Sequence, residues 1–396
     1  MVDWKQIKEF YRGRLFNDVL PFWVNNAIDN TFGGFLDFLD QEGKPLSTDK
    51  SGWVHGRATW MFSFLYNTVD RNATWLAYAE HCARFLRDHM RSKEGRVYFE
   101  VNQRGEPLVL RRYLFSEVFA VIGFAELYKA SKNKEWLELA FQTLQVIETY
   151  QGHLPEKIFS ETRAMKGHSW TMILISMYQI LREADDTKRF PYDALIAAQI
   201  DEIFNVFVKE DRKVLLEMVN TDGSETEGCE GRCVNPGHAI ETAWFVLREA
   251  ALRKDDGLRD KALQIIDWHM EKGWDSVYGG LFSFIDSVNK QPAQVDWDMK
   301  YWWPHTEALI ALLMAYQQSG MKKYINWFEK VHEYSWQHFP DTVHGEWFGY
   351  LHRDGSVAST LKGNHYKGPF HLPRCLMMVS QIASELEESD KLESNE

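Results

Sequence analysis

A strand-like alternation of aromatic and polar residues, closed by a turn and followed by two helical segments, recurs along this chain at a spacing of about 60 residues. Copies run over Gly33–Asp40 with a turn at Glu42-Gly43, Arg96–Val101 with a turn at Arg104-Gly105, and Lys213–Val219 before Asp222-Gly223. Two more run over Gly279–Asp286 and over Glu346–Leu351 before Asp354-Gly355. Each reads as a short β-hairpin. One gap has double length, and a degenerate copy at His153–Ile158 fills it, which makes six units.

Paired helical patterns lie between the hairpins. The first members are Arg57–Asn67, Ser116–Ala130, Ser169–Glu183, His238–Arg253, His305–Gln318 and Pro369–Leu386. They are apolar around most of their circumference, as in Ala308–Tyr316, and a helix apolar all round is buried. More amphipathic partners follow at Trp75–His89, Lys134–Tyr150, Tyr192–Val208, Leu258–Lys272 and Lys322–His338. The sixth inner helix has no partner after it, but the unpaired helix Trp4–Leu20 supplies one from the other end of the chain. An open solenoid needs polar capping repeats, and neither end reads as one. The chain is therefore expected to be all-α, a single (α/α)6 barrel over 1–396 with short β-hairpins at one end and an acidic tail that frays from about 386.

In such a barrel all six inner helices start at one mouth. The stretch Asn235-Pro236-Gly237-His238-Ala239-Ile240-Glu241 is one of these starts, with a histidine and a carboxylate on one helix face. Taken alone, capping and packing explain such a histidine better than acid/base chemistry does, because a single histidine near an apolar helix is common. The equivalent positions carry His55 with Arg57, Ser116 with Glu117, His168, His305 with Glu307, and His371 with Arg374. Packing has no reason to select ionisable groups repeatedly at one place, so the ring of them points to a site. Trp53, Trp60, Trp302, Trp303 and Trp347 offer flat walls for a polar ligand, and an aromatic share of 14% suits sugar stacking as well as a large core.

The net charge of -12 with no basic run argues against nucleic acid or an anionic membrane as partner. No apolar run approaches a membrane span, the first residues lack a charged leader and apolar core, and the four cysteines form no paired motif, so a reducing cytoplasm is expected. No HExxH occurs and His238 has no histidine one turn along, so no metal is expected. Neither a GxSxG motif nor a Walker A loop is present.

Four segments carry a resemblance. Gly231–His238, Trp302–Ala308, Gly345–Leu351, and Leu361–Gly363 through Lys367–Arg374 resemble the signature segments of the N-acyl-D-glucosamine 2-epimerases, and the similarity runs from about Phe16 to Met377. It implies an (α/α)6 barrel, a homodimer, and interconversion of N-acetylglucosamine and N-acetylmannosamine. By resemblance His238 and His371 match the two catalytic histidines, and Arg57, Glu241, Glu307 and Arg374 match residues around the substrate. Trp303, His305 and His168 join them from their places at the mouth. No cofactor is implied beyond ATP, which activates some members of the family and for which this chain encodes no recognisable loop.

The chemistry fits those residue types. Inverting a carbon next to an aldehyde means removing its proton on one face and returning one on the other, which calls for two acid/bases with pKa values near 7. His238 and His371 lie on inner helices four and six, which are not adjacent, so they can flank a ligand. A fixed cation such as Arg57 stabilises the enolate. His168 and Trp170 depart from the family's apolar pattern, and they keep open a second reading: an aldose-ketose isomerase or 2-epimerase of an unmodified sugar such as mannose. Glycoside hydrolysis needs two opposed carboxylates, and histidines dominate here.

Overall fold

The computed structural model describes residues 2–152 and 163–393; the degenerate hairpin at His153–Ile158 lies outside them. Inner helices α3 (Gly52–Thr68), α5 (Phe115–Ser131), α7 (His168–Ala184), α9 (Pro236–Arg253), α11 (Trp302–Ser319) and α13 (His371–Glu393) pack each against the next, and α13 closes on α3. The outer layer is α4 (Ala73–His89), α6 (Lys134–Tyr150), α8 (Tyr192–Glu202), α10 (Asp256–Gly273) and α12 (Lys322–His338), each against its preceding inner helix. The sixth outer place is taken by α1 (Trp4–Arg14), which packs on α13 as expected from its lack of a partner in sequence. The fold is the (α/α)6 barrel.

Helices α9 and α11 start earlier than their apolar patterning, since proline is tolerated in a first turn that needs no intrahelical N–H, whereas α13 starts at His371, later than the expected Pro369. Pro236 opens α9, and Pro304 and Pro373 sit in the first turns of α11 and α13. Helix α13 also continues through Glu393, past the fraying expected near 386. It is pinned there by α1: the Trp4 indole donates to Asp390 at 2.9 Å and Lys8 pairs with Glu387 at 2.5 Å.

Hairpins are shorter than their sequence alternation, with strands of two or three residues, and they stitch neighbouring repeats together. Strand β1 (Lys50–Ser51) pairs with β2 (Glu100–Val101), which pairs with β3 (Pro107–Val109); β10 (Lys300–Tyr301), β11 (Tyr350–Leu351) and β12 (Val357–Ser359) repeat that arrangement. Three turns share one device. Asp29, Asp275 and Asp341 each accept backbone N–H groups two and three residues on, and each also meets a fully buried lysine, Lys50 at 2.9 Å, Lys300 at 3.2 Å and Lys362 at 3.1 Å. A buried lysine is sustained only by such a partner, so the pair fixes the turn. Glycines with positive φ, Gly33 at 84° and Gly279 at 76°, let the chain reverse where a side chain would be strained.

At the opposite end from the hairpins, side chains near the C-termini of the inner helices tie the ring into a belt. Asn67 donates to Glu126 at 2.7 Å, Lys129 and Arg248 both reach Glu183 at 3.0 and 2.7 Å, and Gln318 donates to the Leu247 carbonyl at 3.2 Å. Gln317 donates to Glu385 at 2.6 Å, and Gln381 closes the ring on the Thr68 carbonyl at 3.5 Å. Among the described residues no helix is long and apolar enough to cross a membrane.

Breaking one turn device tests this account of the rim. Asp275→Ala leaves Lys300 as a buried cation without its carboxylate, and is expected to lower the unfolding free energy by about 3 kcal/mol in urea titrations; a loss within about 0.5 kcal/mol would show that the pair does not hold the turn.

Candidate active site

Five of the six ionisable groups at the inner-helix starts divide into two sets, and the sixth, His168, stands behind one of them. In the first, the side chain holds a hairpin. His55 accepts the Phe35 N–H at 2.9 Å on Nε2, and its Nδ1–H donates to the Ser51 carbonyl at 2.8 Å. His305 does the same with the Leu281 N–H at 2.9 Å and the Tyr301 carbonyl at 2.6 Å. Burial pushes both rings down to about 3, so they stay neutral. In the second repeat Glu117 accepts the Val97 N–H at 2.9 Å and pairs with Arg96 at 2.5 Å. The expectation that His305 binds substrate is corrected here: it is fully buried with both ring nitrogens engaged by backbone. His55 and Glu117 leave the mouth for the same reason.

The second set faces the interior. His238 donates from Nδ1 to Glu217 Oε1 at 2.9 Å. His371 donates from Nδ1 to Glu307 Oε1 at 2.8 Å. Each carboxylate fixes the tautomer and leaves Nε2 without a partner among the described residues. The indole ring of Trp303 lies beside both imidazoles, with centroids 5.0 Å from His238 and 5.8 Å from His371. A flat apolar wall between two acid/base groups is a place for a sugar face.

The two histidines are biased in opposite directions. Burial opposes a charge on His238, but the carboxylates of Glu217, Glu241 and Glu307 outweigh it and raise its pKa. Burial lowers His371 far below the ordinary value, and the guanidinium groups of Arg374 and Arg57 push the same way. Between those limits one ring is an imidazolium and the other a neutral base.

Arg374 is the hub of the interior. Its Nη2 meets Glu241 Oε1 at 2.5 Å, Glu307 Oε1 at 2.7 Å and His371 Nδ1 at 3.3 Å. Glu241, Glu307 and His371 bring ligand atoms within 4.8 Å of one another, as a divalent cation requires, but a guanidinium nitrogen already sits among them. Glu307 also accepts the Trp244 indole N–H at 2.9 Å. Arg57 is packed over Trp53, Phe119 and Phe370 at 4.1–5.1 Å and donates to the Tyr366 carbonyl at 3.1 Å, while its Nε has no partner among the described residues. Burial lowers it to about 9. A rigid, desolvated cation with a free donor suits a developing oxyanion.

Of the residues expected at the mouth, the structure brings together His238, His371, Arg57, Glu241, Glu307, Arg374 and Trp303. His168 is corrected: its ring is fully buried, with Nε2 2.8 Å from Thr242 Oγ1 and Nδ1 3.8 Å from Glu217, so it stands behind His238 rather than against a ligand. Trp347 is likewise core, with no exposed surface. Sequence reasoning missed Glu217. The signal was a lone carboxylate inside the apolar run Val214–Val219.

The family model described as N-acylglucosamine 2-epimerase (GlcNAc 2-epimerase) matches residues 33–371. The N-acylglucosamine 2-epimerase of Rattus norvegicus is 36% identical over 386 residues, covering 94% of this chain and 91% of the rat protein. A cellobiose 2-epimerase of Dictyoglomus turgidum is 27% identical, covering 96% of this chain and 100% of its own. Among solved structures, the cellobiose 2-epimerase of Bacillus thermoamylovorans superposes with a TM-score of 0.84 at 21% identity, over 95% of this chain and 100% of that one.

Replacing Glu217 isolates its effect on His238. In Glu217→Gln the imidazole loses its nearest anion, and its pKa, followed by nitrogen-15 shifts of labelled histidine, is expected to drop by at least about one unit. An unchanged value would mean that Glu241 and Glu307 alone set it.

Proposed function

The chain belongs to the N-acylglucosamine 2-epimerase family, and from that premise we propose that it interconverts N-acetyl-D-glucosamine and N-acetyl-D-mannosamine by proton removal and return at C2. One observation carries the reading: two imidazoles of opposite bias, each held at Nδ1 by a carboxylate. Identity of 36% to the rat N-acylglucosamine enzyme against 27% to a cellobiose enzyme supports the N-acylated substrate.

In the open-chain sugar the C1 aldehyde acidifies the C2 proton. Neutral His371 takes that proton on Nε2, the C2–H electron pair moves into an enolate, and Arg57 faces the charge on O1. His238, already an imidazolium, returns a proton from its own Nε2 to the other face of C2. In the reverse direction the two histidines exchange roles. Fixed donors at an oxyanion are worth about 3 kcal/mol each, and positioned acid/bases about 10²–10⁴-fold. Glu241 and Glu307 hold Arg374 and orient His371, and Trp303 supplies the stacking wall. The reading requires no cofactor.

N-acetylmannosamine incubated in deuterated water is expected to yield N-acetylglucosamine labelled at C2, seen by NMR. Turnover of mannose or cellobiose with none of the N-acylated sugar would replace this reading by one on free sugars. Dependence on pH follows from the two biases. His371, lowered, remains a base below the ordinary value of about 6.5, and His238, raised, remains an acid above it. The profile of kcat/KM is therefore expected to be a bell whose acid limb lies below 6.5 and whose basic limb lies above it; a single limb centred near 6.5 would contradict the opposite biases.

Single variants separate the two faces. His238→Ala and His371→Ala are each expected to lose net epimerisation by at least about 10³-fold. Each should still exchange the C2 proton of one epimer with solvent, and not the same one. Exchange of the same epimer by both variants would rule out bases on opposite faces.

A further inference from the structure

Contacts behind His238 determine where protons sit. Thr242 gives its one hydroxyl proton to the His238 carbonyl at 2.8 Å, so toward His168 its oxygen can only accept. His168 Nε2, 2.8 Å from that oxygen, therefore carries a proton. The other ring nitrogen, Nδ1, is buried without a hydrogen-bond partner among the described residues and lies 3.8 Å from the second oxygen of Glu217. While the ring is neutral, two lone pairs face each other across that gap. A proton on Nδ1 converts the contact into a charge-assisted attraction.

Glu217 thus stands between two imidazoles and has one anionic charge to share. Its first oxygen is served by His238 at 2.9 Å. Once His238 has passed its Nε2 proton to a substrate carbon, both neighbours are neutral and the carboxylate is left uncompensated in a low-dielectric site. We propose that His168 is the alternate proton holder of Glu217: it takes a proton on Nδ1 when His238 gives one up, so that the carboxylate faces one imidazolium at every stage. That proton comes from a solvent acid, hydronium or buffer, reaching the open side of Glu217, whose side chain is 15% exposed; the conjugate base stays in solvent and takes the proton back when His238 is recharged. No other bond is made or broken.

Groups facing His168 from the surrounding elements fit this role. Helix α9 presents His238, Glu241 and Thr242, the hairpin presents Glu217, and the ring edge meets Phe207. His269 of α10 also acts on it, but that ring is held neutral, down to about 4 by burial, with the Leu215 N–H on its Nε2. Burial keeps His168 itself below the ordinary value, Glu217 and Glu241 pull it up, and a charged His238 holds it down. His238 is thus the neighbour whose charge changes in the reaction. His168 is a positioning residue that acts through Glu217.

The inference rests on His238 as an acid/base, and its test is independent of substrate. Nitrogen-15 shifts of labelled histidine at pH 7 are expected to show His168 neutral in the wild-type protein and doubly protonated in His238→Asn, where Glu217 has no other cation. A neutral His168 in both proteins overturns the proposal. With substrate, His168→Phe is expected to lower kcat about 10- to 100-fold with KM altered less than about twofold, and His168→Gln, which offers Glu217 a neutral N–H, to recover part of the loss. A raised KM at unchanged kcat would make His168 a substrate contact and overturn it as well. If the wild-type protein turned over no N-acylated sugar, the epimerase reading would fall while the labelling result stood.

Discussion

Hairpins of this barrel are held to their inner helices by single bonds from helix-start side chains to backbone N–H groups. His55, Glu117 and His305 each capture one such group, and the bond is made in a place that water does not reach. Everything at the mouth depends on it. The captured hairpins, together with the pairing of β1 with β2 and of β10 with β11 across repeats, form the rim through which the interior is reached. A neutral imidazole does this well, because it offers one donor and one acceptor on opposite sides of a rigid ring, and two backbone groups are thereby satisfied at once.

One structural position therefore serves two ends. Where the ring points outward to a hairpin it is a fastener, and where it points inward, at His238 and His371, a carboxylate replaces the backbone carbonyl behind Nδ1. That single exchange of partner changes the chemistry of the ring. A carbonyl fixes the tautomer of His305 and leaves it inert; a carboxylate fixes the tautomer of His238 and also favours its charged form. His371 has a carboxylate too, but burial, aided by the Arg374 cation that shares that carboxylate, reverses the bias.

The architecture was largely legible in the chain because its signals are periodic. Helices apolar all round, amphipathic partners and an unpaired first helix describe a closed ring before any contact is known, and α1 packs on α13 as that requires. Most of the site was legible for the same reason, since one position could be compared across six units. Direction was not: nothing in the residues at 55, 168, 238, 305 and 371 says which ring faces a hairpin and which faces the cavity. Glu217 was hidden because its meaning comes from His238, in another segment, and the buried lysines were hidden because their aspartates lie 21 to 25 residues away.

The polar belt at the far end has a consequence for traffic. Inner helices are tied side to side beyond the site, so among the described residues the barrel offers a cup rather than a tunnel. Whatever enters by the hairpin rim must leave by it. Entry of one molecule and departure of another then share a single doorway and exclude each other in time, so the two ligands of a reversible reaction compete for the same aperture however well the chemistry between them is tuned.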